Sequence, residues 1–204
     1  MFSDRKVGNM ASASEAILKA TAEQPESAPI TAKEFLHLGS RAAIDQALCR
    51  LVRSGQLARF GRGWYIRPVQ TRFGERMPAP EKVLEAMAAL KGERVAPSGG
   101  ATANAYGVTT QVPTTTIYLT SGRSRRFKFG AQSVELRHAP SWQLRKGPAG
   151  EVARVLAWSG PGAAKSAVES LGKRFSPQER LEAVAARSGL PTWMAETLSP
   201  WANA

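Results

Sequence analysis

Apolar residues first fall into a helical period in "SASEAILKATAEQ", where Ile17 and Leu18 mark one side and "PESAP" breaks the run. Ser12 stands three residues before Glu15, the spacing of a capping box, so a first helix is expected to start there behind about ten frayed residues. "ITAKEF" has a fuller signature. Thr31 and Glu34 have capping-box spacing, and Ile30 and Phe35 occupy the two positions of a hydrophobic staple. The pattern predicts a helix that runs to about Leu38 and stops at Gly39. Ser40 caps the next helix, in which Ile44, Ala47, Leu48, Leu51 and Val52 repeat at the spacing of one buried face. The opposite face then carries Ala42, Gln46, Cys49, Arg50 and Arg53, and Gly55 ends the helix. Two short helices joined by Gly39 and Ser40 form a helix-turn-helix. "LARF" and "WYI" on either side of "GRG" predict a hairpin, which completes the order of a winged helix.

The pattern changes after Pro68. "RPVQTRFGERMPAPE" is basic, proline-bearing and non-periodic, and is expected to be a linker. Val83, Leu84, Met87 and Leu90 then mark an amphipathic helix, and "APSGGATANAYG" predicts a loop leading into a short Ala-rich helix. "VPTTTIYLT", "RRFKF" and "QSVELRH" are strand-like, with Phe127 and Phe129 alternating against Arg126 and Lys128. Helices are expected again near residues 151–158, 163–173 and 177–187, the last capped by Ser176 with Pro177 and Glu179. The fold class is therefore α+β. A winged helix-turn-helix occupies residues 11–68, a linker 69–80, and a mixed α/β domain with a small antiparallel sheet and terminal helices 81–204.

Composition narrows the function. With 43% hydrophobic residues the chain can bury a core, so general disorder is not expected. One cysteine, Cys49, excludes an internal disulfide and a cysteine-based zinc site. "MFSDRKVGNM" lacks the apolar region of a signal peptide and no apolar run is long enough to span a bilayer, so a cytoplasmic protein without membrane contact is expected. His37 and His138 are the only histidines. His37 sits at a helix end and His138 continues a strand alternation. There is no HExxH, no Walker loop and no zinc spacing. No catalytic or metal-binding residue is assigned, no cofactor is expected, and an enzyme is disfavoured.

The net charge of +12 changes the picture most, because it asks for an anionic partner. Residues 33–76 hold nine basic side chains against three acidic ones. Within the helix-turn-helix, Ser40 and the free amides beside it suit a phosphate. Arg41, Gln46 and Arg50 are placed to reach base edges, Gln46 preferring adenine. Arg53 and Arg59 suit backbone contacts, and Arg62 at the hairpin tip a minor groove or a phosphate. Asp45 orients Arg41 across one helical turn, or else contacts a cytosine. Trp64 and Tyr65 are expected to pack the hairpin in place rather than stack on bases. A second basic patch comprises Arg123, Arg125, Arg126, Lys128 and Arg137. It reads equally as a second nucleic-acid face, a seat for an acidic protein, or a solubilising sheet face.

"GSRAAIDQAL", "L-x-R-x-GRGWY" and "T-S-G-x-S-R" together resemble the AbiEi-like antitoxins of bacterial abortive-infection systems, over about residues 31–140. The resemblance implies a transcriptional regulator whose winged helix represses its own promoter, so that double-stranded DNA is one partner. It also implies a C-terminal antitoxin domain countering a nucleotidyltransferase toxin in a type IV toxin–antitoxin system, without need of a stable complex. By position, Ser40, Arg41, Gln46 and Arg50 match the recognition helix, Arg62 the wing, and the C-terminal basic cluster the antitoxin domain. The alternative is a protein-interaction module that neutralises a toxin by direct binding, with the winged helix as scaffold.

Overall fold

The computed structural model describes residues 5–111 and 115–202, with side chains from Ala13 onward. It is α+β, with short strands in small sheets, and it divides into two compact units. One comprises Met1–Gly92 with Arg126–Ser133, the other Glu93–Arg125 with Val134–Ala204.

In the first unit, α1 (Arg5–Ala22) is helical before Ser12, so the helix does not start at that serine, whose side chain lies outside the described ones. α2 (Arg41–Arg53) buries Ile44, Ala47, Leu48 and Leu51 against Ile17 and Phe35, the face its periodicity predicts. Between α1 and α2, Ala32–Leu38 winds as a 3-10 helix, not the expected α-helix. It is tied at one end by Ile30, which exchanges backbone hydrogen bonds with Tyr65, and at the other by the Ser40 cap, and a short stretch between fixed ends takes the tighter winding. The Glu34 carboxylate accepts from the Thr31 amide (2.7 Å) and hydroxyl (2.8 Å), as the capping spacing implies. Gly39 is extended (φ 163°), so no left-handed glycine stops the helix.

Antiparallel β1 (Ala58–Gly61) and β2 (Trp64–Ile66) form the expected hairpin. The stretch expected as a linker holds a second hairpin, β3 (Val69–Thr71) and β4 (Gly74–Arg76). Val69 and Thr71 favour extended backbone and Gly74 (φ 106°) makes the turn. In α3 (Pro80–Leu90), Val83, Leu84 and Met87 are buried, but Leu90 is 66% exposed. It lies about a quarter-turn from the centre of the buried stripe.

The second unit holds most of a sheet built from β5 (Val95–Pro97), β6 (Thr116–Thr120), β7 (Arg125–Phe129) and β8 (Gln132–His138), in the order β5-β6-β8-β7. β5 pairs antiparallel with β6, but β6 and β8 are parallel, so the sheet is mixed and not antiparallel as expected. The chain passes from β6 to an edge strand, and the hairpin return then fills the gap between them. Residues 112–114 of the first expected strand lie outside the described residues. α4 (Gly99–Ala105) packs on α5 (Gly147–Gly172). α5 breaks at Gly160 (φ 70°) before Pro161, which separates two of the expected helices. α6 (Pro177–Ala185), α7 (Thr192–Thr197) and α8 (Ser199–Ala202) close a core of Val152, Leu156, Leu171, Met194 and Trp201. Among the described residues no helix is long and apolar enough to cross a membrane.

Candidate nucleic-acid interface

The burial of one side of α2 leaves Arg41, Ala42, Asp45, Gln46, Cys49, Arg50 and Arg53 exposed on the other. Ser40 caps the helix by accepting from the Ala43 amide at 3.3 Å, so its hydroxyl is already engaged. Arg41 Nε donates to Asp45 Oδ2 at 2.9 Å across one turn, the pairing its spacing predicts. Arg50 makes only a long contact, 3.5 Å, with the Gln46 carbonyl. Among the described residues Arg50, Arg53, Arg59 and Arg62 have no carboxylate partner.

The β1–β2 hairpin holds the other two arginines. A bulge separates Arg59 from Gly61, and Arg59 Nε donates to the Gly61 carbonyl at 3.2 Å. Arg62 is exposed in the turn, where Gly63 takes φ 74°. Tyr65 is buried, and its amide and carbonyl pair with Ile30 at 2.9 and 2.8 Å, which pins the hairpin to the helices. Trp64 packs near Phe60, with Lys91 Nζ 5.2 Å from its ring centroid. Both aromatics serve packing. Phe60 also stacks on Phe129 (centroids 5.0 Å) and tilts against Phe127 (5.5 Å).

The second basic patch is put to several uses. Phe127 and Phe129 are buried and Arg126 and Lys128 exposed, as their alternation predicts, and these four cluster with the first unit. Arg123, Arg125 and Arg137 belong to the second. Arg123 is exposed. Arg125 is half-buried in a two-point ion pair with Glu93, which removes it from the accessible charge. Arg137 pairs with Glu135 at 3.1 Å. His138 Nδ1 lies 2.9 Å from the Gly122 carbonyl, and His37 is exposed at the end of the 3-10 helix.

The second unit holds a polar knot that hydrophobic periodicity does not reveal. Arg154 is buried and donates to the carbonyls of Gln143 (3.0 Å) and Arg145 (3.1 Å). Burial lowers its pKa. Tyr106 donates to Glu151 at 2.5 Å, and burial first, then that hydrogen bond, pushes its pKa up to about 12. Backbone and side-chain hydrogen bonds from Ser176 lower the pKa of Glu179. Gly99 and Gly100 of "APSGGATANAYG" lie inside α4, where a Cβ on Gly99 would fall 2.2 Å from the Arg154 carbonyl oxygen. They permit the close packing of α4 on α5. "VARVLAW" was the available signal, since an arginine inside an apolar helical run is buried.

The model of a family of unknown function, DUF6088, matches residues 13–156. That span includes α2, both hairpins and the whole sheet. No curated protein and no solved structure matches the chain.

Proposed function

We propose that this chain, which belongs to the family DUF6088, is a DNA-binding transcriptional regulator. The N-terminal unit is read as a winged helix-turn-helix, with α2 as recognition helix and the β1–β2 hairpin as wing. The observation that carries this is the exposed face of α2. A helix whose buried side is fully packed presents Gln46, Arg50 and Arg53 together, and among the described residues none of the three is tied to a carboxylate. Arg41 and Arg50 have the fork that reads guanine, Gln46 the amide that reads adenine, and Arg53, Arg59 and Arg62 supply phosphate contacts. The strand pairing through Ile30 favours the reading further, since a wing must be held rigidly to touch a groove.

The resemblance to AbiEi-like antitoxins extends the proposal. The chain would repress its own promoter and counter a nucleotidyltransferase toxin from the same operon. Binding to a duplex from its own upstream region, compared with random duplex over a range of salt, tests the regulator. Tight, salt-steep and preferential binding is expected. Arg41→Ala and Arg50→Ala should each weaken it by about 1–3 kcal/mol. Equal affinity for random duplex would overturn the reading.

A further inference from the structure

Phe73 is the most exposed large apolar side chain among the described residues, at 86%. A lone exposed apolar residue is ordinary, but the mounting of this one is not. It sits at the turn of the β3–β4 hairpin, whose strands pair Val69 with Arg76, Gln70 with Glu75 and Thr71 with Gly74. The Thr71 hydroxyl donates to the Gly74 carbonyl at 2.7 Å and accepts from the Phe73 amide at 3.2 Å. Gln70 donates to Glu75 across the strands at 2.7 Å. The turn is thus braced from both sides, and the ring it carries is left exposed beside its neighbour. That neighbour is Arg72, whose guanidinium carbon lies 4.6 Å from the ring centroid.

We propose that this hairpin is a second DNA contact, in which Phe73 wedges against a base step and Arg72 meets the adjoining phosphates. The proposal rests on the DNA-binding reading of the same unit. An aromatic ring beside a cation on a rigid two-stranded ribbon is the equipment of side chains that unstack and kink a duplex from the minor groove. Charge favours nucleic acid over a protein partner. Arg72 stands in the turn itself, Arg76 lies at the open end of the hairpin in a long, exposed pair with Glu26 (3.9 Å), and Glu75, the one acid of the hairpin, is engaged by Gln70.

The test uses the full-length protein and an end-labelled duplex from its upstream region. It reads affinity, the end-to-end distance of the DNA by energy transfer, and the permanganate reactivity of unstacked thymines. Because Phe73 is exposed, Phe73→Ala should melt as the wild type does. It should bind about tenfold more weakly, the scale of one base–aromatic stack, and lose both the bend and the reactive step. Phe73→Trp should keep them. Arg72→Ala should lower the salt slope by about 0.9, one phosphate. If Phe73→Ala binds and bends DNA like the wild type, the proposal is wrong and the tip faces a protein pocket instead. A wild type that binds but unstacks no base step also overturns it. A wild type with no preference for its own upstream DNA removes the underlying reading as well.

Discussion

Residues 33–76 and residues 120–146 each carry six more basic than acidic side chains, and by charge alone they are equivalent. In the first stretch the carboxylates take little of the charge. Arg41 is held by Asp45 in an exposed pair, while Arg50, Arg53, Arg59 and Arg62 stand clear of any acid among the described residues. In the second stretch Arg125 is half-buried on Glu93, Arg137 is paired with Glu135, and Arg145 donates to the Ala186 carbonyl at 2.9 Å. An arginine tied to a buried acid or to a carbonyl far along the chain is part of the scaffold. One that touches at most a carbonyl of its own turn can exchange its hydration for phosphate with little desolvation cost. The difference lies in what each guanidinium already touches, which a count of charges does not contain.

The extreme of the scaffold class is Arg154, and it offers the largest effect. Arg154→Ala leaves the carbonyls of Gln143 and Arg145 without their donor and opens space beneath α4. It should cost about 3 kcal/mol in urea unfolding while the folded fraction keeps its affinity for DNA. Arg50→Ala should show the reverse, with unfolding changed by no more than about 0.5 kcal/mol and DNA affinity reduced. If Arg154→Ala proves as mild as Arg50→Ala, burial does not separate the two classes.

A middle-sized effect links the stretches. Phe127 lies between Arg126 and Lys128 in the second, yet its ring serves the wing of the first. A Cβ added to Gly61 would fall 2.7 and 2.8 Å from two of its carbons. Gly61→Ala should therefore destabilise by about 1–3 kcal/mol, as overpacking does. Phe127→Ala makes room, so the double variant should be more stable than the two single effects added together predict. Strict additivity in denaturant unfolding would mean that the ring does not crowd Gly61.

Legibility in the sequence followed the range of the interaction. The buried stripe of α2, the Ser40 cap, the Arg41–Asp45 pair and the Phe/basic alternation of β7 all depend on residues within about one turn or one strand, and each was readable. The 3-10 winding of Ala32–Leu38 was not, because the same capping residues serve either helix and tethering at Ile30 and Ser40 decides between them. The β3–β4 hairpin was hidden because its side chains are mostly polar and give no buried alternation. The parallel pairing of β6 with β8 joins strands separated by a third, and nothing in either strand names its neighbour. The candidate interface was legible as a set of residues. Which arginines were already committed, Arg125 above all, was not.

The smallest expected effect is the sharpest check on the contrast. Arg137 is a scaffold arginine only weakly, since its pair with Glu135 is largely exposed on the arginine side. Such pairs contribute about 0–1 kcal/mol, so Arg137→Ala should barely move unfolding. Of the two paired arginines in the second patch it is the more easily recruited to DNA, because breaking its pair costs so little. If the second stretch is scaffold, Arg137→Ala leaves the salt dependence of DNA binding unchanged, whereas Arg53→Ala lowers the slope by about 0.9. If both variants lower it equally, the strand bearing Arg137 also lies on phosphate. The division would then be between arginines held by strong pairs and all the rest, with Arg123 and Arg137 joining the interface and Arg125 remaining outside it.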